Sequence, residues 1–181
     1  MKLLLAAAAG AAMLTAAGAA SAQNLPGVLL PATPYFNLGI SGAELESTED
    51  LEVFGFTGRA GVRMGRNVAL EAEYTQGIDE ELERQYAAYL VGLAPISDNG
   101  DIFLRVGLGR VDIDTPIQGG NGDGFDTVNY GAGFQVFASS ARRIGIRADY
   151  TRLDNQESSN SSAPSRDANM FTVSVVWRLQ P

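Results

Sequence analysis

Seven ionisable residues, Arg59, Arg63, Glu71, Glu73, Arg105, Arg147 and Asp149, are each flanked by small or apolar neighbours. The chemistry open to them is ion pairing and hydrogen bonding, because guanidinium forks and carboxylates match as bidentate partners. The sequence contains no His and no Cys. That removes the commonest general base, the commonest metal ligand, the thiol nucleophile and any disulfide framework together. Lys2 is the single lysine, so every basic side chain after it is Arg. A formal charge of −8 argues against nucleic acid as a partner. No cofactor and no catalytic residue is expected.

Two acidic stretches are weaker candidates. "GGNGDGFDT" (Gly119–Thr127) resembles one copy of a calcium-binding glycine–aspartate repeat, but Gly124 stands where the repeat wants Asp. A flexible loop is the better reading, with Asp112, Asp114, Asp123 and Asp126 as weak Ca²⁺ ligands. "DEELE" (Asp79–Glu83) reads as a solvated loop.

The elements that must hold these residues follow from period and turn signals. Met1-Lys2, an apolar run from Leu3 to Ala20 and Ala20-Ser21-Ala22 read as a signal peptide over 1–22, cut before Gln23. Residues 23–34, with three prolines, read as an irregular extension. Eight alternating segments follow at 35–43, 53–64, 68–76, 85–94, 101–111, 125–137, 142–153 and 168–179. No window keeps a helical period, so the domain over 35–179 is expected to be all-β. Short connections at 65–67, 95–100 and 138–141 alternate with longer polar ones at 44–52, 77–84, 112–124 and 154–167. This is the up-and-down pattern of an outer-membrane barrel, with short periplasmic turns and longer external loops. Both termini then belong on the periplasmic side.

Parity sorts the faces. Phe54, Phe56, Val62, Leu70, Tyr74, Leu104, Val106, Tyr130, Phe134, Ile144, Ile146, Val173 and Val175 share one face, and the seven ionisable residues share the other. Phe103 is a misfit on the polar side. The strand 85–94 is ambiguous, and Tyr89, Val91 and Leu93 are placed on its apolar face. The polar face is rich in glycine (Gly39, Gly55, Gly61, Gly107, Gly109, Gly131, Gly133, Gly145). Glycine weakens a solvated strand but suits the crowded bore of a narrow barrel. Aromatics fall near both ends of the apolar face, as lipid–water interfaces favour. The apolar face therefore meets lipid, and an eight-stranded antiparallel transmembrane β-barrel is expected. Arg59 and Arg63 are the expected partners of Glu71 and Glu73 on the adjacent strand. Arg110 and Arg152 have lipid-facing parity at outer strand ends, level with lipopolysaccharide phosphates, so contacts there are expected.

At "NYGAGFQVF" (Asn129–Phe137), "LEAEY" (Leu70–Tyr74) and "FTVSVVW" (Phe171–Trp177), the chain resembles small outer-membrane barrels of Gram-negative bacteria. The group includes the OmpA transmembrane domain, OmpX and the opacity-type porin-family proteins. The resemblance covers 35–179 and implies insertion by the outer-membrane assembly machinery. It departs from the group in ending Trp177-Arg178-Leu179-Gln180-Pro181 rather than on an aromatic residue, and cell-wall anchoring of the OmpA kind is not implied. Lipid A-modifying barrels use His, which is absent, so an enzyme is not expected. The expected role is structural, in envelope integrity or surface interaction. A narrow pore is the alternative, and a soluble lipocalin-like binder a third reading.

Overall fold

A computed structural model describes residues 32–45, 51–78, 82–113, 124–138, 143–155 and 167–179. The expected signal segment, Asp114, Asp123 and Asp79–Glu81 lie outside the described residues. Eight strands run in chain order: β1 (Ala32–Leu45), β2 (Leu51–Met64), β3 (Val68–Gly77), β4 (Leu82–Pro95), β5 (Gly100–Ile113), β6 (Gly124–Phe137), β7 (Ile144–Asn155) and β8 (Ala168–Arg178). Each pairs antiparallel with the next, and β1 pairs with β8 from Tyr35↔Arg178 to Leu45↔Ala168, closing the sheet. Closure leaves no unpaired edge, which is how a sheet survives in hydrocarbon.

Most strands extend beyond the segments their polarity marks, although β7 begins at Ile144 and β8 ends at Arg178, inside theirs. β1 begins at Ala32, three residues ahead of the expected segment, and Ala32 and Pro34 pair with Met64 and Val62. At the opposite end the ladder continues through Glu44↔Glu52 and Leu45↔Leu51. Backbone pairing does not require apolar side chains, so the connections shrink to 46–50 and 78–81. Those two are hardly longer than the turn at 65–67, while 114–123 and 156–167 stay long. At the 65–67 turn, Gly65 takes φ 68°, the left-handed region that glycine enters without steric cost.

The outside of the barrel is apolar. Leu104 and Leu108 are 69% exposed and Ile146 61%, whereas Arg147 and Asp149 are 1% and 2% exposed. Ile144, Val173 and Val175 also point outward. This is the reverse of a lipocalin-like barrel, and so large an apolar surface needs lipid around it.

One strand departs from expectation. Tyr89, Val91 and Leu93 of β4 are buried inside, and Tyr86 and Leu90 face outward. Both faces of "QYAAYLVGLA" are apolar, so its period carries no sign. The neighbours set it: Val91 stands opposite Ala69 and Arg105, and Tyr89 opposite Glu71 and Gly107. Phe103, the misfit of β5, joins Val91, Leu93, Phe137 and Val176 in an inner apolar cluster. It has room because Gly133 lies opposite; a Cβ there would sit 2.5 Å from the Phe103 ring. A second inner cluster of Val111, Phe125, Leu153, Ala168 and Met170 fills the loop end.

Outside, Phe36 of β1 stacks on Trp177 of β8 with ring centroids 4.9 Å apart, across the seam where the first and last strands meet.

Candidate functional site

Three buried guanidiniums and three buried carboxylates meet inside the barrel. Arg59 on β2 stands directly opposite Glu73 on β3, and its Nε donates to Glu73 Oε2 at 2.5 Å. The same guanidinium spans the bore to Asp149 on β7 as a fork, with Nη1 to Oδ1 at 2.8 Å and Nη2 to Oδ2 at 2.9 Å. Arg105 on β5 bridges the same two acids, reaching Glu73 at 2.8 Å and Asp149 at 3.0 Å. Arg147 on β7 grips Glu71 with both Nη1 and Nη2, and its Nε lies 3.2 Å from Asp149 Oδ1. Charges cancel: Arg59, Arg105 and Arg147 against Glu71, Glu73 and Asp149. Neutrality with near-complete hydrogen bonding is the condition under which buried charge is tolerable.

Arg63 is placed otherwise than the adjacent-strand rule expects. Ala69 stands opposite Arg63, and Gly61 stands opposite Glu71. With no side chain at Gly61, Glu71 accepts instead from Tyr35 Oη at 2.6 Å and from Arg147. Arg63 donates to Asp101 at the turn end, with Nη1 2.9 Å from Oδ2. Gln135 Nε2 at 2.9 Å and Arg178 Nη2 at 3.1 Å also donate to Asp101 Oδ2.

Several members of this network escape a reading by charge alone. Tyr89 Oη donates to Glu73 Oε1 at 3.2 Å and accepts from Asn129 Nδ2 at 3.1 Å. Arg105 lies 4.3 Å above the Tyr89 ring and Arg147 4.0 Å above the Phe103 ring, so the inner aromatics stabilise the cations through their π faces. Thr151 accepts from Arg105 Nε at 2.9 Å. A row of hydroxyls joins Thr75 to Thr57 at 2.7 Å, Thr57 to Ser41 at 2.5 Å, and Ser41 to Thr172 at 2.8 Å. Parity carries a signal for the polar members, since Asp101 shares its face with Arg105 and Thr57 with Arg59, but none for Tyr89, whose strand is apolar on both faces.

Arg110 and Arg152 project outward at the loop end, among carboxylates. Arg110 Nη1 lies 3.1 Å from Asp126 and its Nε 3.4 Å from Asp112, which Arg84 also holds at 2.8 Å. Arg152 lies 3.0 Å from Asp154 and 3.1 Å from Asp167. Asp112 and Asp126, two of the four acids considered for calcium, are thus engaged by arginine, and Asp114 and Asp123 fall outside the described residues.

The comparisons with known proteins bear on the fold. The outer membrane protein β-barrel domain matches over residues 4–178. No curated protein matches. Among solved structures, Ail, the attachment invasion locus protein of Yersinia pestis, in complex with the heparin analogue sucrose octasulfate, superposes with a TM-score of 0.58. It shares 12% identity, over 83% of this chain and 100% of that one. Neisserial surface protein A gives a TM-score of 0.58 at 13% identity, covering 82% and 99% of the two chains. The N-terminal β-barrel domain of Pseudomonas aeruginosa OprF gives 0.57 at 13% identity, covering 82% and 100%. At such identities the likeness is one of fold.

Proposed function

From its membership of the outer membrane protein β-barrel domain family, to which the chain belongs, we propose that the protein serves envelope integrity or surface interaction rather than transport or catalysis. It is an integral protein of the Gram-negative outer membrane, surrounded by lipid and lipopolysaccharide. The observation that carries this reading is the filled bore. Six charged side chains are locked on one another, and Val111, Phe125, Leu153 and Met170 lie across the loop end. Reconstituted in a planar bilayer, the protein is expected to pass almost no current. Sustained ohmic conductance would instead establish the narrow-pore reading.

On this reading the turn end and both chain ends face the periplasm, the loops face outward, and the assembly machinery inserts the chain. Support comes from β1 beginning and β8 ending beside the short turns. A non-catalytic role is supported by the lack of His and Cys, which deprives acyl chemistry of its usual base and nucleophile.

Lipopolysaccharide is the expected neighbour of Arg110 and Arg152. A guanidinium fork can serve a carboxylate and a phosphate together, and both arginines sit just beyond the apolar band marked by Leu108 and Tyr150. The double variant Arg110→Ala with Arg152→Ala should co-purify with several-fold less lipopolysaccharide; an unchanged amount would refute the contact.

A further inference from the structure

At the turn end the interior opens into a cavity of about 250 Å³, lined by Arg63, Arg66, Arg178, Asp101, Thr33 and Ser97 among others. Its charges do not cancel as those of the central network do. One carboxylate, Asp101, faces two guanidiniums, Arg63 and Arg178. All three are largely enclosed, with side chains 14% (Arg63), 19% (Arg178) and 7% (Asp101) exposed. The second acid of the lining, Asp98, is exposed on the turn between β4 and β5 and holds no ion pair among the described residues.

Arg178 is the less committed of the two cations. Its Nη2 donates to Asp101 Oδ2 at 3.1 Å, and one face of the guanidinium rests 3.5 Å above the Phe137 ring. The other N–H groups of its guanidinium hold no acceptor among the described residues. Arg63, by contrast, places both terminal nitrogens on Asp101 and one of them also on the Arg66 carbonyl oxygen. Phe137 fixes the plane of the Arg178 fork, so little side-chain freedom remains to be lost on binding. Arg66 stands exposed at the rim, and Thr33 and Ser97 bring hydroxyl donors to the same space.

We propose that this mouth is a binding site for a phosphate-type oxyanion, received by the uncommitted donors of Arg178 and closed over by Arg66. A surplus guanidinium held away from bulk water attracts an anion more strongly than the same charge on an open surface. The cavity is several times the roughly 30 Å³ share of one water molecule, room for a tetrahedral anion with part of its hydration. The phosphoryl group has two possible sources, free inorganic phosphate or the headgroup of a phospholipid from the inner leaflet.

The test uses the full barrel, refolded in an uncharged detergent, and reads the thermal unfolding midpoint at constant ionic strength. Three arms are titrated: inorganic phosphate, a short-chain phosphatidic acid, and chloride as the screening control. A saturable rise of the midpoint with phosphate and not with chloride is expected if the free anion is the ligand. The same rise with phosphatidic acid alone identifies the headgroup, and both outcomes support the site. Arg178→Gln should weaken the apparent affinity roughly tenfold or more. If that variant fails to reach the folded form, Arg66→Gln, at an exposed position outside the central network, decides in its place with a smaller loss. Equal responses to phosphate and chloride, or a response untouched in whichever variant folds, would overturn the proposal.

Discussion

Asp149→Ala is expected to lower the thermal unfolding midpoint of the refolded barrel by on the order of 10 °C. Asp149 accepts the fork of Arg59 and lies within ion-pair distance of Arg105 and Arg147. Removing it leaves three buried guanidiniums against two carboxylates. Breaking a buried pair from one side costs about 3–5 kcal/mol, far more than the pair contributes relative to two neutral partners. The asymmetry provides its own control. Removing Glu71 and Arg147 together, as Gln and Gln, should cost less than the sum of the single variants, because the double change strands no charge. Arg84→Ala, which breaks an exposed pair with Asp112, should leave the midpoint nearly unchanged. Heat-modifiability gels across a temperature series measure all of these. An Asp149→Ala midpoint within a degree or two of the parent would mean that the network does not carry the barrel's stability.

The second large effect concerns volume. Gly107 of β5 points into the bore opposite Tyr89, and a Cβ there would collide with the Ala88 carbonyl oxygen and lie 2.7 Å from Tyr89 Cδ1. Backbone cannot step aside without breaking the β4–β5 ladder, so Gly107→Val should stop the folded form from appearing at all. Gly92 of β4 is the matched comparison: it faces outward, and a Cβ there meets nothing within 4 Å. Gly92→Val should refold as well as the parent or better, since a β-branched side chain suits an outward strand position in lipid. Refolding yield into detergent, read as the fraction of heat-modifiable protein, separates the two. Equal yields would show that the bore is looser than these distances imply.

Much of the fold is legible from period alone because lipid imposes a sharp contrast between faces. Ile144, Ile146, Ala148 and Tyr150 alternate with Arg147 and Asp149, and no arrangement buries both sets in the same medium. β4 is illegible for the opposite reason. Its inner residues Tyr89, Val91 and Leu93 are as apolar as its outer ones, and their orientation is decided by neighbouring strands. Ion-pair partners are harder still to read. Arg59 and Asp149 are 90 residues apart, Arg147 and Glu71 are 76 apart, and each meeting depends on the barrel's having closed. Adjacent-strand logic reaches Arg59 with Glu73, and it fails at Arg63 because Ala69 stands opposite and Asp101 offers two oxygens across the bore. Strand ends follow backbone pairing rather than polarity, as Glu44↔Glu52 shows.

The ring stack at the seam makes the chain's single tryptophan a timekeeper for assembly. Trp177 belongs to the final strand and its partner Phe36 to the first, so the two indole and phenyl planes come together only when the cylinder shuts. Entry of individual hairpins into the bilayer leaves that pair apart. Contact between these two rings therefore registers closure of the cylinder, as distinct from the passage of side chains into hydrocarbon.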